Sequence, residues 1–270
     1  MANAATPLTS AVTHPKPGDA YVQSFARGLE VIRSFSASAP CQTLTEVAVR
    51  SGLSRAGARR ILLTLEHLGY VRSDGKLFSL TPRILDLGFA YLSSMPIWNL
   101  AEPVMQTLAR QVKESCSAAV LDGTDIVYVL RVSTHKIMSI SLGVGSRLPA
   151  HCTSMGRMLL SALPEDQLLA CLAASSITAR TRYTLTNTDA LLHEIAQVRC
   201  QGWSLVDQEL EEGLVSMAAP ISNRAGQIIA ALNISGQANR TSAKTMQNTM
   251  LPALLAAAAT VSSLLGSPQA

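Results

Sequence analysis

Aromatic residues are scarce, 4% of the 270-residue chain, so a stacking platform for single-stranded nucleic acid is not expected. Charged residues are scarce too, at 15% against 48% hydrophobic. That balance excludes a solvated, disordered chain and leaves enough apolar surface for a sizeable core. Long apolar runs are missing. The longest candidate, Leu251 to Leu265, is broken by Thr260, Ser262 and Ser263 and falls short of the ~18 residues a membrane span needs. No basic start followed by an apolar stretch opens the chain, so no signal peptide is expected. Five cysteines (Cys41, Cys116, Cys152, Cys171 and Cys200) are scattered with no C-x-x-C pair. They suggest neither a zinc cluster nor a disulfide framework. These absences together point to a cytoplasmic, reduced protein that does not enter a membrane.

What charge there is lies unevenly. Residues 21–83 hold nine Lys/Arg against four acids, while residues 84–270 hold twelve against thirteen. A small basic segment joined to a larger neutral one fits a nucleic-acid reader fused to a sensor or assembly domain; it also fits a solubilising surface.

Residues 1–20, with three prolines and Gly18, are expected to be a disordered arm. From Tyr21 a helix is expected, with Phe25, Leu29, Ile32 and Phe35 at helical spacing. Thr43 with Glu46 three residues on forms a capping box for a second helix, which Gly52 stops. Ser54 caps a third helix to about Leu68, with Ala58, Ile61, Leu62, Leu65 and Leu68 facing inward. Asp74-Gly75 between two short alternating runs, within Tyr70–Leu80, is a hairpin signal. Thr81-Pro82 then caps a linker helix to about Met95.

The remainder reads as α+β. A helix is expected over about Asn99–Glu114, then strands near Ser117–Leu121, Ile126–Val132 and Ile137–Ser141. A Gly/Pro loop (Gly143–His151) leads to a helix from Thr153 to Ala162, and Pro164 opens another. Asp189 caps a helix to Gln201. Strands are expected at Trp203–Asp207, Val215–Ile221 and Ile228–Ser235, before a closing helix. The fold class expected is thus α+β with two domains. The division is an arm (1–20), a winged helix-turn-helix (21–81), a linker helix (82–97) and a larger domain (98–266).

The Thr43–Leu68 segment has helix-turn-helix spacing, and the second of the paired helices would enter the major groove by its N-terminal end. That end carries Ser54, Arg55, Ala56, Gly57, Arg59 and Arg60. Arginine can grip guanine bidentately, serine and Thr43 can bind phosphate, and the small residues permit close approach. Arg55 and Arg59, four apart, are expected to share a face opposite Ala58, Leu62 and Leu65. The Arg72–Lys76 hairpin would lie as a wing over the neighbouring backbone. The alternative is a helical hairpin with a solvated arginine face, serving assembly of a small-molecule-binding or enzymatic module.

At this point the chain resembles a known family. "SFARGLEVIRSF", "LTEVAVRSGLSRAGARRILLTLEHLGYV" and "FSLTPRILDLG" look like the winged helix-turn-helix of IclR-family transcriptional regulators. "GSRLPAHCTSMGRMLL" and "VDQELEEGLVSMAAPI" with "GQIIAALNISG" look like the signature stretches of that family's effector-binding domain. The combination of "RAGARR", "TSMGR" and "VDQELEEGL" is most similar to the branch that controls protocatechuate, 4-hydroxybenzoate and β-ketoadipate catabolism. The resemblance covers about residues 21–265. It implies a GAF-like effector-binding and oligomerisation domain, a homodimer or dimer of dimers, and a small organic acid effector. A symmetric dimer would read a pseudo-palindromic operator on double-stranded DNA.

Carried over by position, the resemblance places His151, Thr153, Ser154, Met155 and Gly156 at the effector cup. The second signature adds Asp207, Glu209 and Ser216, and the last strand adds Asn233 and Ser235. Chemically, Ser216, Asn233 and Ser235 are polar residues in apolar strands and need a partner once buried; a ligand is one candidate and a mutually satisfied polar pair the other. Thr153 and Ser154 could equally be a plain helix cap. Met155 and Leu148 could line an aromatic ring, and Arg147 could supply a charge or face water. His151-Cys152 invites a thiolate reading, but neighbours in a loop seldom face each other and no third group orients them. Glu209, Glu211 and Glu212 could suggest a divalent metal, but no histidine cluster accompanies them. No catalytic residue, metal or cofactor is therefore expected.

Overall fold

The computed structural model describes residues 21–93, 97–133 and 142–266. The expected arm (1–20) and the expected strand Ile137–Ser141 lie outside the described residues. The chain divides into two compact units that part near residue 94.

The first unit contains α1 (Gln23–Arg33), β1 (Cys41–Thr43), α2 (Leu44–Arg50), α3 (Arg55–His67), β2 (Val71–Ser73), β3 (Leu77–Leu80) and α4 (Leu85–Ser93). Thr43 and Glu46 form the full capping box at α2. The Glu46 N–H donates to Thr43 Oγ1, and the Thr43 N–H donates to Glu46 Oε2 at 2.7 Å. Gly52, at φ +66°, takes the left-handed conformation that ends the turn between α2 and α3. Ser54 Oγ accepts from Gly57 N–H at 3.1 Å and starts α3. Val31, Val47, Ala48, Ala58, Leu62, Leu65 and Val71 form the core. Asp74 Oδ1 accepts from the Lys76 and Leu77 N–H groups and sets the turn between β2 and β3.

Three expectations for this unit are corrected. Phe25 (69% exposed) and Leu68 (47%) face outward, while Val31 on α1 and Leu65 on α3 are buried. A third strand, β1, pairs with β3, giving the order β1-β3-β2. The linker begins with a 3-10 turn, Pro82–Ile84, before α4, since Thr81 Oγ1 accepts from Arg83 N–H. No residue of α4 is buried; Leu85, Leu87, Phe89 and Tyr91 are all exposed.

The second unit contains α5 (Ile97–Val112), β4 (Ser115–Asp122), β5 (Asp125–Val132), β6 (Arg147–Pro149), α6 (Ser154–Leu160), α7 (Glu165–Ala174), α8 (Thr188–Gln201), β7 (Ser204–Asp207), β8 (Leu214–Ser222), β9 (Ile228–Gln237) and α9 (Ala243–Gly266). The strands form one antiparallel sheet, ordered β6-β5-β4-β9-β8-β7. α5 and α9 pack on one face and α6 on the other. α7 and α8 join α6 there through Leu168, Leu172, Ile195 and Val198 against Met155 and Met158.

Here too the boundaries move. α5 stops at Val112 because Lys113 adopts φ +56°. The expected loop before His151 contains the short edge strand β6, whose Leu148 opposes Ile126. The cap of α8 is Asn187, whose Oδ1 accepts from Ala190 N–H at 2.9 Å, rather than Asp189, which sits inside the first turn. None of the described helices is long and apolar enough to cross a membrane.

Candidate nucleic-acid interface and effector cup

In the first unit, the start of α2, the flank of α3 and the β2–β3 wing enclose an open groove of about 680 Å³. Thr43, Arg55, Arg59 and Lys76 come together there, with Thr45, Leu63, Ser73 and the turn residue Gly75, none of which was expected at the DNA surface. Both arginines are exposed. At ~100° per residue they lie on the flank of α3 beside its buried stripe, and the side opposite that stripe carries Ala56 and Arg60. Arg60 is exposed and outside the groove. Arg72 is also turned away: its Nε donates to Ser79 Oγ at 3.0 Å. The Thr43 hydroxyl is spent within the capping box, donating to Glu46 Oε2 at 2.8 Å. Hydrogen bonds donated by the Thr43 backbone N–H and then its hydroxyl hold the Glu46 carboxyl below the usual carboxylate range.

In the second unit, ten residues line a small cup on the α6 face of the sheet. Six were expected: Thr153, Ser154, Met155, Ser216, Asn233 and Ser235. Four were not: Tyr128, Arg131, Leu210 and Leu214. The pairing explains the polar floor. Ser117 opposes both Arg131 and Asn233, and Ser235 opposes both Ser115 and Ser216, so these side chains form two cross-strand rows on one face. Asn233 Oδ1 accepts from Ser117 N–H at 3.1 Å, and its Nδ2 donates to Ser235 Oγ at 3.0 Å. Asn233 and Ser235 therefore satisfy each other in part. Ser154 differs: its Oγ is buried and, among the described residues, has no hydrogen-bond partner. Such a group costs free energy unless something completes it. Burial pushes the Tyr128 phenol up to about 12, so it stays protonated and able to donate. The enclosed space is only about 20 Å³, room for about one water.

The other expected cup residues lie elsewhere. Arg147 is corrected most plainly. Its Nη1 donates to Asp122 Oδ2 at 2.6 Å and its Nε to Asp125 Oδ2 at 3.3 Å, so its charge is spent at the exposed β4–β5 turn. Leu148 is buried in the core. Gly156 packs against Ala150. Asp207 is exposed at the end of β7.

Glu209 lies in a buried ion pair beneath the cup. Arg157, 2% exposed, donates from Nη2 to Glu209 Oε2 at 2.6 Å and from Nε to the His151 carbonyl at 3.0 Å. The same carboxylate accepts from Leu185 N–H, and the hydroxyls of Thr181 and Thr184 donate to the Gln208 and Glu209 carbonyls. Glu209 thus staples the 181–185 segment to α6. Glu212 pairs instead with Arg182.

His151 and Cys152 make no catalytic pair. Burial pushes the Cys152 thiol up to about 11, and its Sγ points to the Pro149 carbonyl. Burial first, then the charges of Arg157 and Arg180 against a smaller opposing effect of Asp125, lowers His151 to about 4. An unfolded histidine titrates near ~6.5. Between those values the unfolded chain binds the extra proton, so stability is full above ~6.5 and falls as pH drops toward 4. The total for this buried ring is about 3 kcal/mol, of which about 2 is lost between pH 7 and 5. Urea unfolding of wild type between pH 7 and 5 should show this loss, and His151→Gln should flatten it. Equal slopes for the two proteins would remove His151 as the source.

The family model for the IclR helix-turn-helix domain matches residues 24–75, and the one described as bacterial transcriptional regulator IclR C-terminal matches residues 89–263. The chain is 44% identical over 238 residues to the Pca regulon regulatory protein of Pseudomonas putida, covering 88% of this chain and 82% of that one. It is 34% identical over 239 residues to the p-hydroxybenzoate hydroxylase transcriptional activator of Acinetobacter baylyi, covering 87% and 88%. The crystal structure of an IclR homolog from Microbacterium hydrocarbonoxydans, complexed with 4-hydroxybenzoate, shares the fold with a TM-score of 0.80 at 23% identity, over 91% of this chain and all of that one.

Proposed function

We propose, from the premise that this chain belongs to the IclR family of bacterial transcriptional regulators, that it controls genes of aromatic-acid breakdown and that a small aromatic carboxylate sets its grip on DNA. It is a DNA-binding regulator and not an enzyme. Three things support the choice of effector. Two relatives are named for the Pca regulon and for p-hydroxybenzoate hydroxylase, and the Microbacterium protein is complexed with 4-hydroxybenzoate. The observation in this chain that carries it is the unpartnered Ser154 hydroxyl, buried in a cup floored by Ser216, Asn233 and Ser235. Protocatechuate and β-ketoadipate belong to the same candidate set.

The working division is residues 21–81 for DNA, 82–97 as linker and 98–266 for effector binding and assembly. In the reading surface, Arg55 and Arg59 address base edges from the groove, with Ala56 and Gly57 permitting close approach. Ser54, Arg60, Arg72 and Lys76 serve the phosphates. Apolar residues exposed on both sides of α4, Leu85 with Phe89 and Leu87 with Tyr91, support a second copy covering this helix, hence a homodimer or dimer of dimers on a pseudo-palindromic operator. Acting on chromosomal DNA, the protein works in the cytoplasm.

Fluorescence anisotropy with operator DNA across a salt series tests this reading. Arg59→Ala and Arg55→Ala should each cost about 1–3 kcal/mol at the cognate site and relax specificity. Lys76→Ala should weaken all sequences alike and flatten the salt dependence by ~0.9 in log–log slope. A folded Arg59→Ala variant with unchanged affinity and specificity removes that residue from the reading set.

A further inference from the structure

The structure assigns to Arg131 the anchoring of the effector's carboxylate, a role that rests on the effector reading above and makes it specific. Arg131 is the one charged residue of the ten that line the cup. Its guanidinium is held in place by neutral acceptors: Nε donates to Ser133 Oγ at 3.0 Å and Nη1 to the buried Ser117 Oγ at 3.4 Å. Among the described residues no carboxylate lies within ion-pair distance of it. A half-buried guanidinium, oriented by neutral hydroxyls on the wall of a polar cup, is suited to a planar, bidentate anion.

A β-bulge puts it there. Ala118 opposes Leu130, but Ala119 opposes Tyr128, so Val129 is the extra residue on β5. Along a regular strand, residues three apart point to opposite faces. The bulge cancels one alternation, and Tyr128 and Arg131 both reach the cup. The cup thus offers a cation at one position and neutral hydrogen-bonding groups (the Tyr128 phenol, Ser154, Ser216, Ser235) around it. That is the complement of an acid bearing hydroxyl or keto oxygens.

Calorimetric titration of the full-length chain with 4-hydroxybenzoate, protocatechuate, β-ketoadipate and the neutral isostere 4-hydroxybenzamide tests the assignment. Wild type should bind its acid about 10–100-fold more tightly than the amide, the range of a charge-assisted hydrogen bond. Arg131→Gln should bring the acid down to the level of the amide, leave the amide unchanged and keep DNA binding; Arg131→Lys should restore part of the preference. A folded Arg131→Gln protein that still prefers the acid overturns the anchor while the effector reading stands. A wild type that binds the amide as well as the acid does the same. If wild type binds none of these ligands, the effector reading fails and the anchor falls with it.

Discussion

Gly156→Ala should destabilise the effector-binding unit by about 3–5 kcal/mol, although alanine is the better helix former. Gly156 is the third residue of α6, where replacement by alanine would ordinarily gain about 0.5–1 kcal/mol. A Cβ at this position, however, would fall inside the van der Waals envelopes of the Ala150 carbonyl oxygen and Cα and of Thr153 Oγ1. Two of these are backbone atoms of the turn that carries His151 and Cys152, so no flexible side chain can move aside. Relief requires α6 to lift from the turn, breaking the cap between Thr153 Oγ1 and Gly156 N–H and opening the core at Met155 and Met158. Overpacking against rigid backbone belongs at the costly end of such changes. Both tryptophans, Trp98 and Trp203, lie in this unit, so their fluorescence during urea unfolding reports on it alone. A variant as stable as wild type would show that the turn yields at little cost.

A comparable loss should follow from breaking the pair beneath the cup. Arg157→Met leaves the Glu209 carboxylate buried with the Leu185 N–H as its remaining charge-stabilising partner, and the expected cost is about 3–5 kcal/mol. Glu209→Leu strands the Arg157 guanidinium with only the His151 carbonyl and should cost a similar amount. The double variant should recover much of the loss, because two apolar side chains of suitable volume need no solvation. A double-mutant cycle on the urea midpoint measures this directly. In either single variant the 181–185 segment loses its staple and should become the first site of limited proteolysis. Additive losses in the double variant would contradict the pairing as the source of stability.

What the sequence made legible was local. The capping box at Thr43 and Glu46, the Ser54 cap and the Asp74-Gly75 turn each depend on residues within three or four positions, and each is present as read. The cap of α8 lies at Asn187, two residues before the expected Asp189; either side chain can accept a capping N–H, so residue type alone does not fix the start of the helix. Phe25 and Leu68 fit the helical period but face outward, which periodicity alone does not distinguish from burial. The cup was half legible. Its serines and Asn233 stand out as polar residues in apolar strands. Tyr128 and Arg131 do not, because strict alternation places them on opposite faces and only the register shift at Val129 unites them. The Arg157–Glu209 pair joins positions 52 apart, beyond any local pattern. Arg147 misled for the same reason: its partners Asp122 and Asp125 are brought to it by pairing of β5 with β6.

The narrowness of the cup has a kinetic consequence. A cavity of about 20 Å³ admits no aromatic ring, whereas small-molecule sites usually measure ~300 Å³ or more. On the proposed reading, entry of an aromatic acid therefore requires the cup to widen, and the apparent affinity is the intrinsic affinity scaled by the fraction of molecules in the widened form. Entry through such a state gives an observed association rate that levels off with rising ligand concentration, at the speed of opening. Substitutions that widen the cup, such as Met155→Ala, would then act on effectors of every chemistry alike, while changes to its polar walls would sort one acid from another.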